Sequence, residues 1–84
     1  MTELSQDLAG LVDVVVRPLV DVEDELEIDA FDNEDGSVLI EIRVNPDDSG
    51  KVIGRQGRVI KAIRTVARAA ASRSGSQVDV ELID

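Results

Sequence analysis

The chain has 84 residues, the length of one domain, and its Asp and Glu outnumber its Lys and Arg to give a formal charge of −9. It contains no cysteine and no histidine, which excludes disulfides and thiolate metal sites and removes the commonest general base. No apolar run approaches the roughly 18 residues of a membrane span. The start, MTELSQDLAG, is acidic and lacks the basic end and apolar block of a signal peptide, so a soluble intracellular protein is expected.

The first predicted element is a helix over about residues 3–19. Leu4, Leu8, Leu11, Val12, Val15 and Leu19 recur on one side at helical spacing, Thr2 suits the N-cap, and Pro18 should kink or end the helix. After the acidic connection DVEDE come two alternating runs, one through Leu26, Ile28 and Ala30, the other through Val38, Ile40, Ile42 and Val44. Asp35-Gly36 between them is a turn signal, so the two strands should form a hairpin. A short helix follows, with Asn45 as cap, Pro46 in its first position and Asp47 and Asp48 suited to its first turn; Gly54 breaks it near Ile53. A longer helix is predicted over about residues 58–72, then a turn through RSGSQ, then a strand through Val78, Val80 and Leu82. The order is α-β-β-α-α-β. A three-stranded sheet with helices on one face would bury these apolar sets.

Charge is divided along the chain. Residues 1–48 hold fifteen acidic and two basic residues, whereas seven cations and no carboxylate lie between Lys51 and Arg73. The basic stretch contains VIGRQGRVIKAI. Glycine at 54 and 57 allows close approach of backbone to a ligand, and the helix that follows points its first N–H groups at the same place, where an anion is stabilised. On that helix Val59, Ile60, Ile63, Val66, Ala67 and Ala70 fall on one broad side, and Lys61, Arg64 and Arg68 on the other with Arg58 at the margin. A groove with an aliphatic floor and a positive rim would suit single-stranded nucleic acid. Charge alone also suits a solvated helix face beside an acidic, solubilising half. The loop is not a Walker loop, since no Gly-Lys-Ser/Thr follows, nor a dinucleotide fingerprint, since the third glycine is missing.

The run VIGxxGxxIxxI, set between two helices and downstream of a hairpin, resembles the KH domain in its type II, bacterial arrangement. The resemblance covers nearly the whole chain and leaves no second domain, so residues 1–84 are expected to form one KH unit. It is closest to the small bacterial KH proteins of the KhpA type, through a PLVD-like segment at 18–21 and the pattern P-x-D-x-GKVIGxxGRxIKAxRT at 46–65. KH domains clamp about four nucleotides of single-stranded RNA or DNA across a GXXG loop. The resemblance implies a cytoplasmic RNA-binding protein, an RNA chaperone or regulator. It also implies self-association or pairing with a larger KH-containing protein, KhpB (also called Jag or EloR), with effects on cell-wall synthesis and cell length. Carried over residue by residue, Gly54, Arg55, Gln56 and Gly57 form the backbone clamp, Ile53 and Ile60 flank it, and Lys51, Arg58, Lys61 and Arg64 contact phosphate. No catalytic residue, metal or cofactor is expected.

Two functions from different classes follow. In one the domain binds single-stranded RNA directly. With a single aromatic residue there are no stacking platforms, so affinity should be modest. In the other it is chiefly a dimerisation or adaptor module whose partner supplies the RNA contact, which the charge of −9 favours. A catalyst is the least supported reading, because no nucleophile–base pair can be named.

Overall fold

The computed structural model describes residues 2–83. Helix α1 spans Glu3–Val16. The Thr2 hydroxyl caps it, accepting from the Ser5 N–H at 3.1 Å, and the same Thr2 donates its backbone N–H and its hydroxyl to the two carboxylate oxygens of Asp32. The cap thereby also fixes where α1 begins against the first strand. The helix ends earlier than its apolar spacing suggests. Pro18 has no N–H for an α-helical bond, and residues Arg17–Leu19 tighten into a 3-10 turn that buries Val20 just beyond.

Strands β1 (Glu27–Asp32) and β2 (Val38–Arg43) are antiparallel, with Ala30 opposite Ile40. Their turn is closed by the bond from Asn33 N–H to Ser37 C=O at 2.9 Å, and Gly36 takes a φ of 87° that a side chain would resist. Strand β3 (Val78–Ile83) lies parallel to β2, with Val80 opposite Ile40, so the sheet order is β1-β2-β3. A parallel neighbour needs a long crossover. Helices α2 (Ser49–Ile53) and α3 (Arg58–Arg73) provide it.

Alternation divides the sheet. Val38, Ile40, Ile42, Val78 and Val80 are buried under the helices against Leu8, Val12 and Val16 of α1, Val52 of α2, and Ile60, Ile63, Ala67 and Ala71 of α3. The opposite face carries Glu27, Asp29, Phe31, Leu39, Glu41, Arg43, Asp79 and Glu81, and its Phe31 is 47% exposed. The fold is thus α+β, in the order α-β-β-α-α-β, with all three helices on one face of a three-stranded sheet. Among the described residues no helix is long and apolar enough to cross a membrane.

The basic helix differs from its expected face in two respects: Ala71, outside the expected set, is buried, and Val66, within it, is not. Its buried line is Ile60, Ile63, Ala67 and Ala71, spaced three or four apart, and Val66 is 44% exposed. Val66 stands one helical step to the side of that line, on the flank shared with Val59 two turns earlier.

Candidate functional site

Between α2 and α3 the chain reverses in four residues. Helix α2 has only its Val52 fully buried, and stops at Gly54, whose N–H still reaches the Gly50 carbonyl at 2.9 Å. Gly54 itself has φ 75° and ψ 173°, a region essentially closed to other residues. Residues Arg55–Gly57 form a 3-10 turn in which Gln56 (φ 57°) and Gly57 (φ 74°) are both left-handed, closed by Gly57 N–H on Gly54 C=O at 3.1 Å.

The two glycines have different reasons to be glycine. A Cβ on Gly54 would come within 2.3 Å of Val59 Cγ2 and 2.9 Å of the Val59 backbone nitrogen, so its bare face is filled by α3 itself. A Cβ on Gly57 would meet nothing nearer than Lys61 Cε at 3.9 Å, so that side of the loop is open. Gly54 lets the loop press against the helix, and Gly57 leaves space in front of the helix N-terminus. Among the described residues no side chain caps α3. The Arg58 N–H donates to the Arg55 carbonyl, and the N–H groups that follow it lie at the positive end of a helix 16 residues long with no capping side chain to accept from them.

Cations surround this end. Arg55, Arg58 and Lys61 are exposed, and among the described residues none of the three is in an ion pair. Arg58 Nη2 donates to the Gln56 side-chain oxygen at 3.2 Å, which steadies the exposed tip of the loop. Ile53, at the end of α2, is 40% exposed beside the loop, whereas Ile60 is 8% exposed and belongs mainly to the core.

The remaining two cations are engaged. Arg64 Nε donates to the Val80 carbonyl at 3.0 Å. Because Gln77 C=O accepts from Val38 of β2, alternation turns the backbone groups of Val78, Val80 and Leu82 toward the free edge of β3. Arg64 thus bridges α3 to that edge and covers one of its unpaired carbonyls. Lys51 is held by two carboxylates, Asp21 and Asp48, the latter at 3.2 Å. The bond to Asp21, then that to Asp48, keeps the Lys51 ammonium above its ordinary range.

Asp48 lies in a first turn as expected, but it has a second role that sequence reasoning missed. First-turn duty on a helix predicts an exposed carboxylate, but Asp48 is 1% exposed. Its two oxygens accept the backbone N–H groups of Val22 at 3.0 Å and Asp21 at 3.1 Å, across 26 and 27 residues of chain. Those two bonds, followed by Lys51, hold its carboxyl below the usual range although burial opposes them. Asn45 is the cap, as expected: its side chain accepts from Asp47 N–H at 2.9 Å and opens a 3-10 turn, Pro46–Asp48, ahead of α2. The available signal was positional: Asp21 closes the PLVD segment and Asp48 is the acid of the P-x-D pattern, but no periodicity joins them.

The comparisons agree with this architecture. A family profile described as "KhpA/KhpB, KH domain" matches residues 9–82. The chain is 44% identical over 73 residues to the RNA-binding protein KhpA of Clostridium perfringens, covering 87% of this chain and 96% of that one. It is 45% identical over the same length to the RNA-binding protein KhpA of Clostridium acetobutylicum, with the same coverage. With the RNA-binding protein KhpA of Bacillus subtilis it shares 39% identity over 79 residues, covering 94% and 96% of the two chains. Each of these relatives is named as an RNA-binding protein. The chain belongs to the KhpA/KhpB family of KH domains.

Proposed function

We propose that the protein binds single-stranded RNA, with the sugar–phosphate backbone seated on the loop at 54–57 and the first turn of α3. One observation carries this reading: the uncapped N-terminus of α3 opens onto the bare side of Gly57, between three cations that lack carboxylate partners among the described residues. The names of the relatives support it. In this account Gly54, Arg55, Gln56 and Gly57 shape the clamp and Arg58 and Lys61 contact phosphate. Ile53 offers a base an apolar surface, with Ile60 beneath it. Lys51 and Arg64 contribute to the rim, each after exchanging a partner it already holds in the free protein.

Residues 1–84 act as one KH unit, and the finer role is that of an RNA chaperone or post-transcriptional regulator in the cytoplasm. The unit pairs with itself or with a larger KhpB-type protein. The family description, which spans KhpA and KhpB, supports that pairing, while an effect on cell-wall synthesis and cell length rests on the resemblance alone. A second reading, in which the protein is mainly an adaptor, is favoured by the open sheet face, where Glu27, Asp29, Glu41, Asp79 and Glu81 would repel RNA.

The test is a titration of isotopically labelled protein with a single-stranded RNA hexamer, following each backbone amide by NMR. The RNA reading expects the shifts to concentrate at residues 53–61. A titration at low salt that leaves those amides in place would reject it in favour of the adaptor.

A further inference from the structure

The acidic connection between α1 and β1 lies beside the stem of the glycine loop, and its two carboxylate contacts there differ in kind. Asp48 is fixed: it is buried and holds two backbone N–H groups as well as Lys51. It cannot leave without exposing unpaired donors on Asp21 and Val22. Asp21 is free to move: its side chain is 79% exposed, and the ammonium of Lys51 is its one ion-pair partner among the described residues. An ion pair so exposed is weak and easily exchanged. Lys51 in turn sits one helical turn before Gly54, on the 44% exposed flank of α2.

We infer that Asp21 is an affinity-determining residue: its carboxylate occupies Lys51 in the free protein, and a phosphate of the bound strand displaces it. The inference rests on the RNA reading above and adds the mechanism by which affinity is held down. Binding at this position is an exchange of one anion for another on the same ammonium. The phosphate gives up its condensed cation on meeting Lys51, but the freed Asp21 carboxylate attracts cations in its turn, so this contact adds little net ion release. Asp48 keeps the stem of the loop in place throughout, because its backbone bonds do not involve the exchanging pair.

Asp21→Asn separates these roles. It retains the backbone N–H that Asp48 needs and removes only the competing charge. Asp24→Asn is the control, since it removes the same charge from the same acidic segment, and among the described residues the Asp24 side chain makes no ion pair. Binding of a fluorescent single-stranded RNA hexamer is measured by anisotropy across a salt series, with circular dichroism melts as the check on folding.

Asp21→Asn should bind roughly two- to fivefold more tightly than the natural chain at low salt, the range expected for freeing one exposed ion pair. Its slope of log K on log salt should steepen by up to about 0.7, because the cation released by the phosphate at Lys51 is then no longer offset by cations drawn to a freed Asp21 carboxylate. Asp24→Asn should change affinity less and leave the slope unaltered, and Lys51→Gln placed in the Asp21→Asn background should abolish the gain. Equal gains in Asp21→Asn and Asp24→Asn, or a gain that survives loss of Lys51, would overturn the inference while leaving RNA binding intact. If the folded natural chain and every variant fail to bind, the RNA reading itself falls and the inference falls with it.

Discussion

Replacing Gly54 by alanine should be far more damaging than replacing Gly57. At Gly54 the backbone lies at φ 75° and ψ 173°, where a residue with a Cβ is strained by about 1–3 kcal/mol. The new methyl would also stand 2.3 Å from Val59 Cγ2 and 2.9 Å from the Val59 nitrogen. The side-chain contact could be relieved by rotation, but the backbone contact requires the loop and α3 to separate, an overpacking cost of about 1–3 kcal/mol. Alanine recovers roughly 0.4–1 kcal/mol by restricting the unfolded chain. The net loss is therefore about 3 kcal/mol, against a total of about 4–12 kcal/mol expected for a domain of this length. Gly57 has ordinary left-handed angles and no described neighbour closer than 3.9 Å, so its alanine costs only the backbone strain of about 1–2 kcal/mol less the same recovery, a net loss of about 1 kcal/mol. Urea unfolding followed by circular dichroism measures both, and at about 4–8 °C per kcal/mol the melting points should separate clearly. Equal losses at the two positions would refute the argument that Gly54 exists to admit Val59.

Other expectations follow from the same contacts. Asp48 has its carboxyl pKa lowered by the N–H groups of Val22 and Asp21 and by Lys51, so its contribution is fully present above the ordinary carboxylate range near pH 4 and is lost as pH falls through the lowered value. Acid unfolding monitored by circular dichroism should accordingly start below about pH 4, and Asp48→Asn should be less stable at neutral pH with a flatter acid limb. Ile42→Ala removes a fully buried side chain and should cost about 2–5 kcal/mol in urea unfolding. Val66→Ser, on the exposed flank of the same protein, should stay within about 0.5 kcal/mol. RNA binding by the natural chain should show a slope of log K on log salt of about −2, as for three neutralised phosphates.

Much of the architecture was legible because it depends on local pattern. The alternation of Val38, Ile40 and Ile42 announced a strand buried on one side, and Asp35-Gly36 announced its turn. Helix α3 was legible from its spacing, although a helical wheel made its buried side too wide and included Val66. The end of α1 was read three residues too late, because apolar spacing continues through Leu19 while the missing N–H of Pro18 interrupts the bonding. The glycine loop was visible as a motif, but the division of labour within it was not. That Gly54 faces Val59 and Gly57 faces open space follows from how α3 packs against the loop. The least legible feature was the Asp21–Lys51–Asp48 group, since its members come from a connection, a helix and a turn that meet only in three dimensions. Side chains that satisfy distant backbone groups leave no period in a sequence.

The central claim is that the loop at 54–57 receives the phosphate backbone of single-stranded RNA. The most direct test is fluorescence anisotropy of a short single-stranded RNA at low salt, comparing the natural chain with a variant carrying Arg55→Asp and Gln56→Asp. Both new residues tolerate the conformations present, since aspartate is among the residues that accept the left-handed angles of position 56. Circular dichroism confirms folding beforehand. The account predicts that the natural chain binds and that the variant loses at least about tenfold in affinity, because two negative charges replace a cation and a neutral group where phosphate must sit. Equal binding by the two folded proteins would contradict it and would place the RNA elsewhere on the surface.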